Sequence, residues 1–357
     1  MSPEALSARS GWVRLALLWG AGGTALLLAA LLVLPQAREI LAAGWLIGLL
    51  FWLGIALGAL ALLAAHALTG GRWGRALWPA LAPAAASLPL FLLLILPLVV
   101  GVGRLYPWAG EPGHPERDVV AQLYLNLPGA TLRGVVALLV WSVLALLLVG
   151  LRPGGVRRMV AALGLVFHMA ATTLLGFDWV QSLEPHFHST SFGMASLVLQ
   201  LMACLAWAVL LRPAPAEAAP DVGGMLLATV LGSLYLGFSQ YLVIWYGDLP
   251  EKVAWYVLRQ HWGWLAVELL SLLLSTLLPL VMLLPTAQRG SPAALAQLAP
   301  WLLAGILLHQ AWLVAPGAGF WALPVAALAV LAVGGLWFGL AYGLIAGRLV
   351  RTTAAGS

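Results

Sequence analysis

Ten apolar runs divide this chain, and each is about as long as a bilayer is thick. They fall at 12–34, 43–66, 78–102, 132–151, 157–177, 190–211, 223–246, 262–284, 299–315 and 323–347. Roughly 20 residues rising about 1.5 Å each cross the hydrocarbon core. No water is present there to bond backbone groups, so each run must satisfy its own N–H and C=O groups as a helix. The expected fold is therefore an all-α integral membrane protein of about ten transmembrane helices, one polytopic membrane domain over residues 1–357. Composition agrees: 63% of residues are hydrophobic, 8% are charged and mean hydropathy is +1.00, too little polar surface to cover a soluble domain of this size. The third run carries Pro83, Pro89 and Pro97, kinks that are tolerated when neighbours take up the freed carbonyls. The N-terminal run shows no small-residue cleavage site and is expected to be a retained helix rather than a signal peptide.

Charge orients the helices. Both termini and the connections after helices 2, 4, 6 and 8 hold Arg9, Arg14, Arg72, Arg75, Arg152, Arg157, Arg158, Arg212, Arg289, Arg348 and Arg351. The opposite side holds Arg38, Arg104, Arg117, Arg133, Lys252 and Arg259, with most of the acidic residues. The positive-inside rule places both termini in the cytoplasm, and the net charge of +5 needs no nucleic acid to explain it. The expected location is a bacterial cytoplasmic membrane. The single cysteine, Cys204, lies in an apolar run and cannot build a disulfide, an iron–sulfur site or a zinc site. The 18 Trp read mainly as an interfacial aromatic belt.

Against this background FDWVQSLEPHFHST (177–190) is unusual, gathering Asp178, Glu184, His186 and His188 among aromatics. SQYLVIWYGDLPEKVAWYVLR (239–259), with Asp248 and Glu251, and LYPWAGEPGHPERDVVAQLYLNLPGATLR (105–133) lie on the same extracytoplasmic side. A quinol needs a polar group at each oxygen, flat apolar walls and proton acceptors. Asp178 and His186 are the candidate acceptors, and Glu184, His188, Asp248 and Glu251 complete a candidate quinol-binding set. The same residues also suit a polar loop that docks a peripheral subunit, with Glu184 and Pro185 shaping a turn. Two His at this spacing are weak evidence for zinc, and no metal site is expected.

Ionisable groups inside the membrane are candidates by default. His168 and His309 fall at similar depth in helices 5 and 9, and Glu268 falls in the outer half of helix 8. Ser271 and Ser275 share the helix face of Glu268, so the five form a candidate proton path or, equally, helix–helix hydrogen bonds. No phosphate loop, cysteine cluster or nucleophile-and-base pair is present. The chain has no redox centre of its own, so any electrons leave through another subunit. A stand-alone secondary transporter is the further alternative; it lacks matched charged, broken helices at mid-membrane.

LYPWA (105–109), YLNLP with LRGVVALLVW (124–141), FDWVQSLEPHFHSTSFG (177–193) and SQYLVIWYGDLPE (239–251) together resemble one family. The chain is similar to the second quinone-binding-type membrane subunit of alternative complex III, a quinol:cytochrome c oxidoreductase, within the polysulfide reductase NrfD-like membrane anchors. The resemblance implies two four-helix bundles, helices 2–5 and 6–9, flanked by terminal helices. It implies a paralogous membrane subunit, an iron–sulfur subunit and haem c subunits as partners. Menaquinol or ubiquinol would be the transient substrate, and no cofactor would be bound covalently in this chain. It places Asp178, Glu184 and His186 beside the quinol pocket and matches Asp248 and Glu251 to the second stretch. His188, Ser191 and Gly129–Thr131 depart from the family pattern, where aromatic or bulky apolar residues are usual.

Overall fold

The computed structural model describes residues 3–109, 123–184, 187, 189–248 and 250–346, and the side chains of these except 3–10, 35, 100, 251 and 252. Among them ten helices are long and apolar enough to span a membrane, and there is no strand. They are α1 (Gly11–Val33), α2 (Arg38–Thr69), α3 (Arg72–Val99), α4 (Leu127–Gly150), α5 (Gly155–Leu183), α6 (Phe192–Leu211), α7 (Ala219–Gly247), α8 (Trp262–Leu283), α9 (Pro292–Val314) and α10 (Ala322–Ile345). A short helix, Pro250–Leu258, joins α7 to α8.

Several spans begin before the apolar runs that announced them. Helix α4 starts at Leu127 rather than 132 because the Asn126 side chain caps it, accepting from Gly129 N at 2.8 Å. Helix α9 starts at Pro292 rather than 299 because Ser291 accepts from Ala294 N. In both, a polar cap followed by proline sets the first turn, and hydropathy is blind to that signal.

Eight of the ten helices form the expected two groups of four. In the first, α2 packs on α3, α4 and α5, and α4 packs on α3 and α5; in the second, α6 packs on α7 and α9, and α8 packs on the same two. The groups meet where α6 lies against α2 and α5, and α9 against α2. The terminal helices do not stand on opposite flanks: α10 lies along α2, and α1 lies along α10.

Helix α2 is the hub, buried along most of its length. Its small residues make that possible. A Cβ on Gly48 would come within 2.8 Å of the Ala329 backbone of α10, and one on Gly58 would overlap the Gln200 carbonyl of α6. Lipid tails are as apolar as leucine, so such close backbone approach, with its dispersion contacts, is what holds membrane helices together.

Helix α3 shows how its prolines are accommodated. It breaks at Leu88–Leu90 into a 3-10 turn, runs as helix over Phe91–Leu94, breaks again at Ile95 and continues from Leu96. Beside Pro97, Leu98 N turns to Ile95 O at 3.0 Å, which frees the Leu94 carbonyl. The indole of Trp45 on α2 donates to that carbonyl at 2.8 Å. Ser87 at the break accepts from Trp337 Nε1 at 2.7 Å. Tryptophan therefore does more than line the membrane interface. Trp12, Trp245, Trp262 and Trp301 are exposed as a belt requires, whereas Trp45, Trp141 and Trp337 are interior.

Candidate functional site

Asp178 lies in the last turns of α5 and is 1% exposed. A carboxylate so placed needs a partner, and α4 supplies one. Arg133 Nε donates to Asp178 Oδ2 at 2.7 Å and its Nη2 to Oδ1 at 3.1 Å. Nη2 also donates to Tyr124 O at 3.0 Å, and the guanidinium carbon stands 3.8 Å from the centre of the Tyr124 ring. Burial and the Asp178 charge push the Tyr124 phenol above its ordinary range, with Arg133 opposing. The planar fork of arginine meets both carboxylate oxygens at once.

Around this pair the connections are pinned to α5. Ser182 Oγ donates to Asp178 O at 2.6 Å and accepts from Trp108 Nε1 at 2.9 Å. Tyr106 donates to Trp179 O at 3.0 Å; its phenol is pushed well up by burial and by the nearby Asp178 charge. Trp108 and Trp179, read from sequence as belt residues, are thus parts of this end of the bundle. Between α3, α4 and α5 lies a cavity of about 120 Å³. Asp178 contributes to its wall with Tyr106, Trp108, Thr131 and Trp179.

The connection from α5 to α6 is held by side-chain amides. Gln181 Oε1 accepts from Ser189 N at 2.7 Å and its Nε2 donates to Ser189 O at 3.1 Å. Ser189 Oγ donates to Gln240 Oε1 on α7 at 3.1 Å. Phe187 stacks on Trp255 of the short helix, 4.3 Å between centroids. Glu184 is half-buried here and its charge acts on Arg259. His186 and His188 lie outside the described residues, as does the side chain of Glu251. Asp248 is not drawn into the cluster: it is exposed and caps α7 in the left-handed region, φ 42°.

The second bundle repeats the arginine clamp. Arg259, 3% exposed, donates to Trp312 O (3.2 Å) and Leu313 O (3.0 Å) at the end of α9, and to Trp255 O (2.9 Å). Its guanidinium carbon lies 3.8 Å from the centre of the Trp255 ring. In each bundle, then, an arginine at the foot of the third helix stacks on an aromatic ring, bonds that residue's own carbonyl and grips the end of the fourth helix. The first bundle offers it a carboxylate. The second offers carbonyls, and burial there lowers the Arg259 pKa to about 10, against the opposing pull of Glu184. In the sequence both arginines stand out only as loop charges. Their signal was a lone Arg, close to aromatic residues, at the start of an apolar helix.

Deeper in the membrane, two of the candidate groups meet. His309 Nδ1 lies 3.1 Å from each carboxylate oxygen of Glu268, and its ring stacks on Trp312 at 5.9 Å. Ser271 and Ser275 are buried on the same helix. Ser271 Oγ donates to Gly305 O of α9 at 2.9 Å and Ser275 Oγ to Ser271 O at 2.8 Å, so both hydroxyl protons are engaged in packing α8 against α9 and closing its π-helical turn (Leu273–Leu277). His168 stays in the other bundle, 1% exposed, edge-on to Trp141 at 5.8 Å with Nδ1 3.5 Å from Thr172 Oγ1.

Among the described residues no three His, Cys, Asp or Glu side chains converge as a metal site. No protein-family model and no curated protein sequence matches the chain.

Proposed function

We propose that this chain is an integral membrane subunit of a respiratory quinol:cytochrome c oxidoreductase of the alternative complex III type, facing its quinol-type pocket to the extracytoplasmic side. The observation that carries the reading is a fully buried carboxylate, Asp178, forming part of the wall of an otherwise apolar, aromatic-lined cavity at one end of a four-helix bundle. In this reading the flat headgroup enters between α3 and α4 and lies against Trp108 and Trp179. Asp178, its charge held by Arg133, accepts a hydrogen bond from one quinol hydroxyl. Asp178 and His186 take the protons, while the electrons pass to haem c and iron–sulfur partner subunits. Glu268, His309 and His168, with Ser271 and Ser275, serve as the proton path below. A paralogous NrfD-like subunit completes the membrane part, and both termini face the cytoplasm of a bacterium.

A second reading is a membrane anchor that docks the redox subunits without binding quinol. It draws on the occupation of both Asp178 oxygens by Arg133 and on a cavity of about 120 Å³, small beside ordinary ligand pockets of roughly 300–1,000 Å³. Asp178→Asn and His186→Ala separate the two readings in the purified assembly. The quinol reading expects quinol:cytochrome c turnover to fall at least tenfold with all subunits retained on a native gel. Full turnover with unchanged quinol affinity in both variants would overturn it, and loss of subunits with normal turnover in what assembles would favour the anchor.

A further inference from the structure

The two bundles do not close completely on each other. Where α2, α4, α5, α6 and α9 converge lies a second cavity of about 80 Å³, running inward from Trp179. Its walls are mostly leucine and small residues, but polar side chains enter them: Trp141 from α4, Thr172 from α5, Ser196 and Gln200 from α6 and Gln310 from α9. His168 stands one turn below Thr172, edge-on to Trp141 and close to Gln200.

These groups share a deficit. Trp141 Nε1, Gln200 Oε1, Gln310 Oε1 and His168 Nε2 are all shut off from the surface, and among the described residues none has a hydrogen-bond partner of good geometry, although His168 and Gln200 lie close enough to interact. Trp141 and His168 are each 1% exposed. Leaving one such group unsatisfied is costly, and three in the wall of one chamber, with His168 behind Trp141 and Thr172, is far above what folded proteins tolerate by chance. Helix α2 contributes a glycine to the chamber wall, where a side chain would take up part of the space. A Cβ on Gly54 would stand 3.7 Å from Gln200 Cγ and 4.0 Å from Gln310 Nε2.

We propose that this chamber is an internal water-binding site whose water cluster hydrogen-bonds Trp141, His168, Gln200 and Gln310 and so links the two bundles inside the membrane. The ligand is water rather than an acyl or isoprenoid tail. The four atoms include an obligate donor (indole N–H) and two acceptors (amide oxygens), and a molecule that both donates and accepts satisfies all of them, whereas a hydrocarbon satisfies none. The volume accommodates roughly three to five waters. The cluster gives His168 a hydrogen-bonded connection to the helix that bears His309, which direct contacts do not provide. The inference stands independently of the quinol reading, since it needs no substrate and no partner subunit.

The test is a density map of the full chain in a lipid nanodisc at a resolution that shows ordered water, paired with X-ray hydroxyl-radical footprinting. Expected are discrete peaks about 2.7–3.2 Å from His168 Nε2 and the Gln200 and Gln310 amides. Radicals formed from bound water should label Trp141 several-fold faster than Trp337, which is equally buried but bonded to Ser87. The Gln200→Leu/Gln310→Leu double variant should abolish that excess. An elongated tail density in the chamber, side chains paired directly with one another, or equal labelling of Trp141 and Trp337 would overturn the proposal. The footprinting comparison within the wild-type protein keeps the test decisive should the double variant fail to fold.

Discussion

Replacing Arg133 with leucine strips Asp178 of both its charged hydrogen bonds while leaving the carboxylate buried. The Asp178 side chain is fully covered and Arg133 is 24% exposed, so the pair is desolvated mainly on its acidic side. Removing one partner of a buried pair costs about 3–5 kcal/mol; the partial exposure of Arg133 places the expectation near the lower bound, about 3 kcal/mol, or roughly a hundredfold in the folding equilibrium at 1.4 kcal/mol per decade. Asp178→Leu should cost a similar amount, because it leaves the guanidinium facing an apolar wall. The double variant, Arg133→Leu with Asp178→Leu, removes both charges and should recover most of the loss, since well-packed apolar pairs replace buried ion pairs at little penalty. The assay is equilibrium unfolding of the chain in mixed micelles for the wild type, both single variants and the double variant, which yields the coupling energy. If each single variant loses less than about 1 kcal/mol and the losses add, the pair does not hold α4 to α5 and the reasoning is refuted.

Three further outcomes follow from the same geometry. Arg259→Ala should lower stability by roughly 2–4 kcal/mol, because three carbonyls lose their donor; Arg259→Lys should recover less than half, since one ammonium cannot span the Trp312, Leu313 and Trp255 carbonyls, and thermal unfolding monitored by size-exclusion chromatography reads both. Trp45→Phe should cost about 1–3 kcal/mol by leaving the Leu94 carbonyl without its donor beside the Pro97 break, read as a lower unfolding midpoint. Burial first, and the neighbouring Glu268 and Tyr241 charges second, raise Tyr256 to about 12 against the opposing Gln240 contact. Its folded pKa is above the unfolded value of 10, so the stability it lends is complete below pH 10 and is lost as pH climbs towards 12. Absorbance at 295 nm should therefore show more than one phenol of the native protein still protonated at pH 11, and Tyr256→Phe should remove the titration step near pH 12; an unchanged titration curve would contradict the burial.

Much of this architecture was legible along the chain. A bilayer forces each apolar run to satisfy its own backbone, so ten spans could be counted before any contact was known. The prolines of α3 announced a broken helix for the same reason. The stretch 177–190 stood out because a chain with so few charges gathers several of them there. Partnership was not legible. Asp178 and Arg133 are 45 residues apart and Glu268 and His309 are 41 apart. Composition says that each is costly in a membrane, not which neighbour relieves it.

Sequence alone therefore determined the class of fold and the number of crossings, because hydrocarbon solvation acts residue by residue along the chain. Tertiary structure decided that α2 lies at the centre, that two arginines clamp the ends of α5 and α9, and that Asp248 stays exposed at the end of α7. Those outcomes depend on how closely glycine faces such as Gly48 and Gly58 let helices approach, and dispersion and hydrogen bonding fall off over fractions of an ångström. Only packing in three dimensions sets distances of that size.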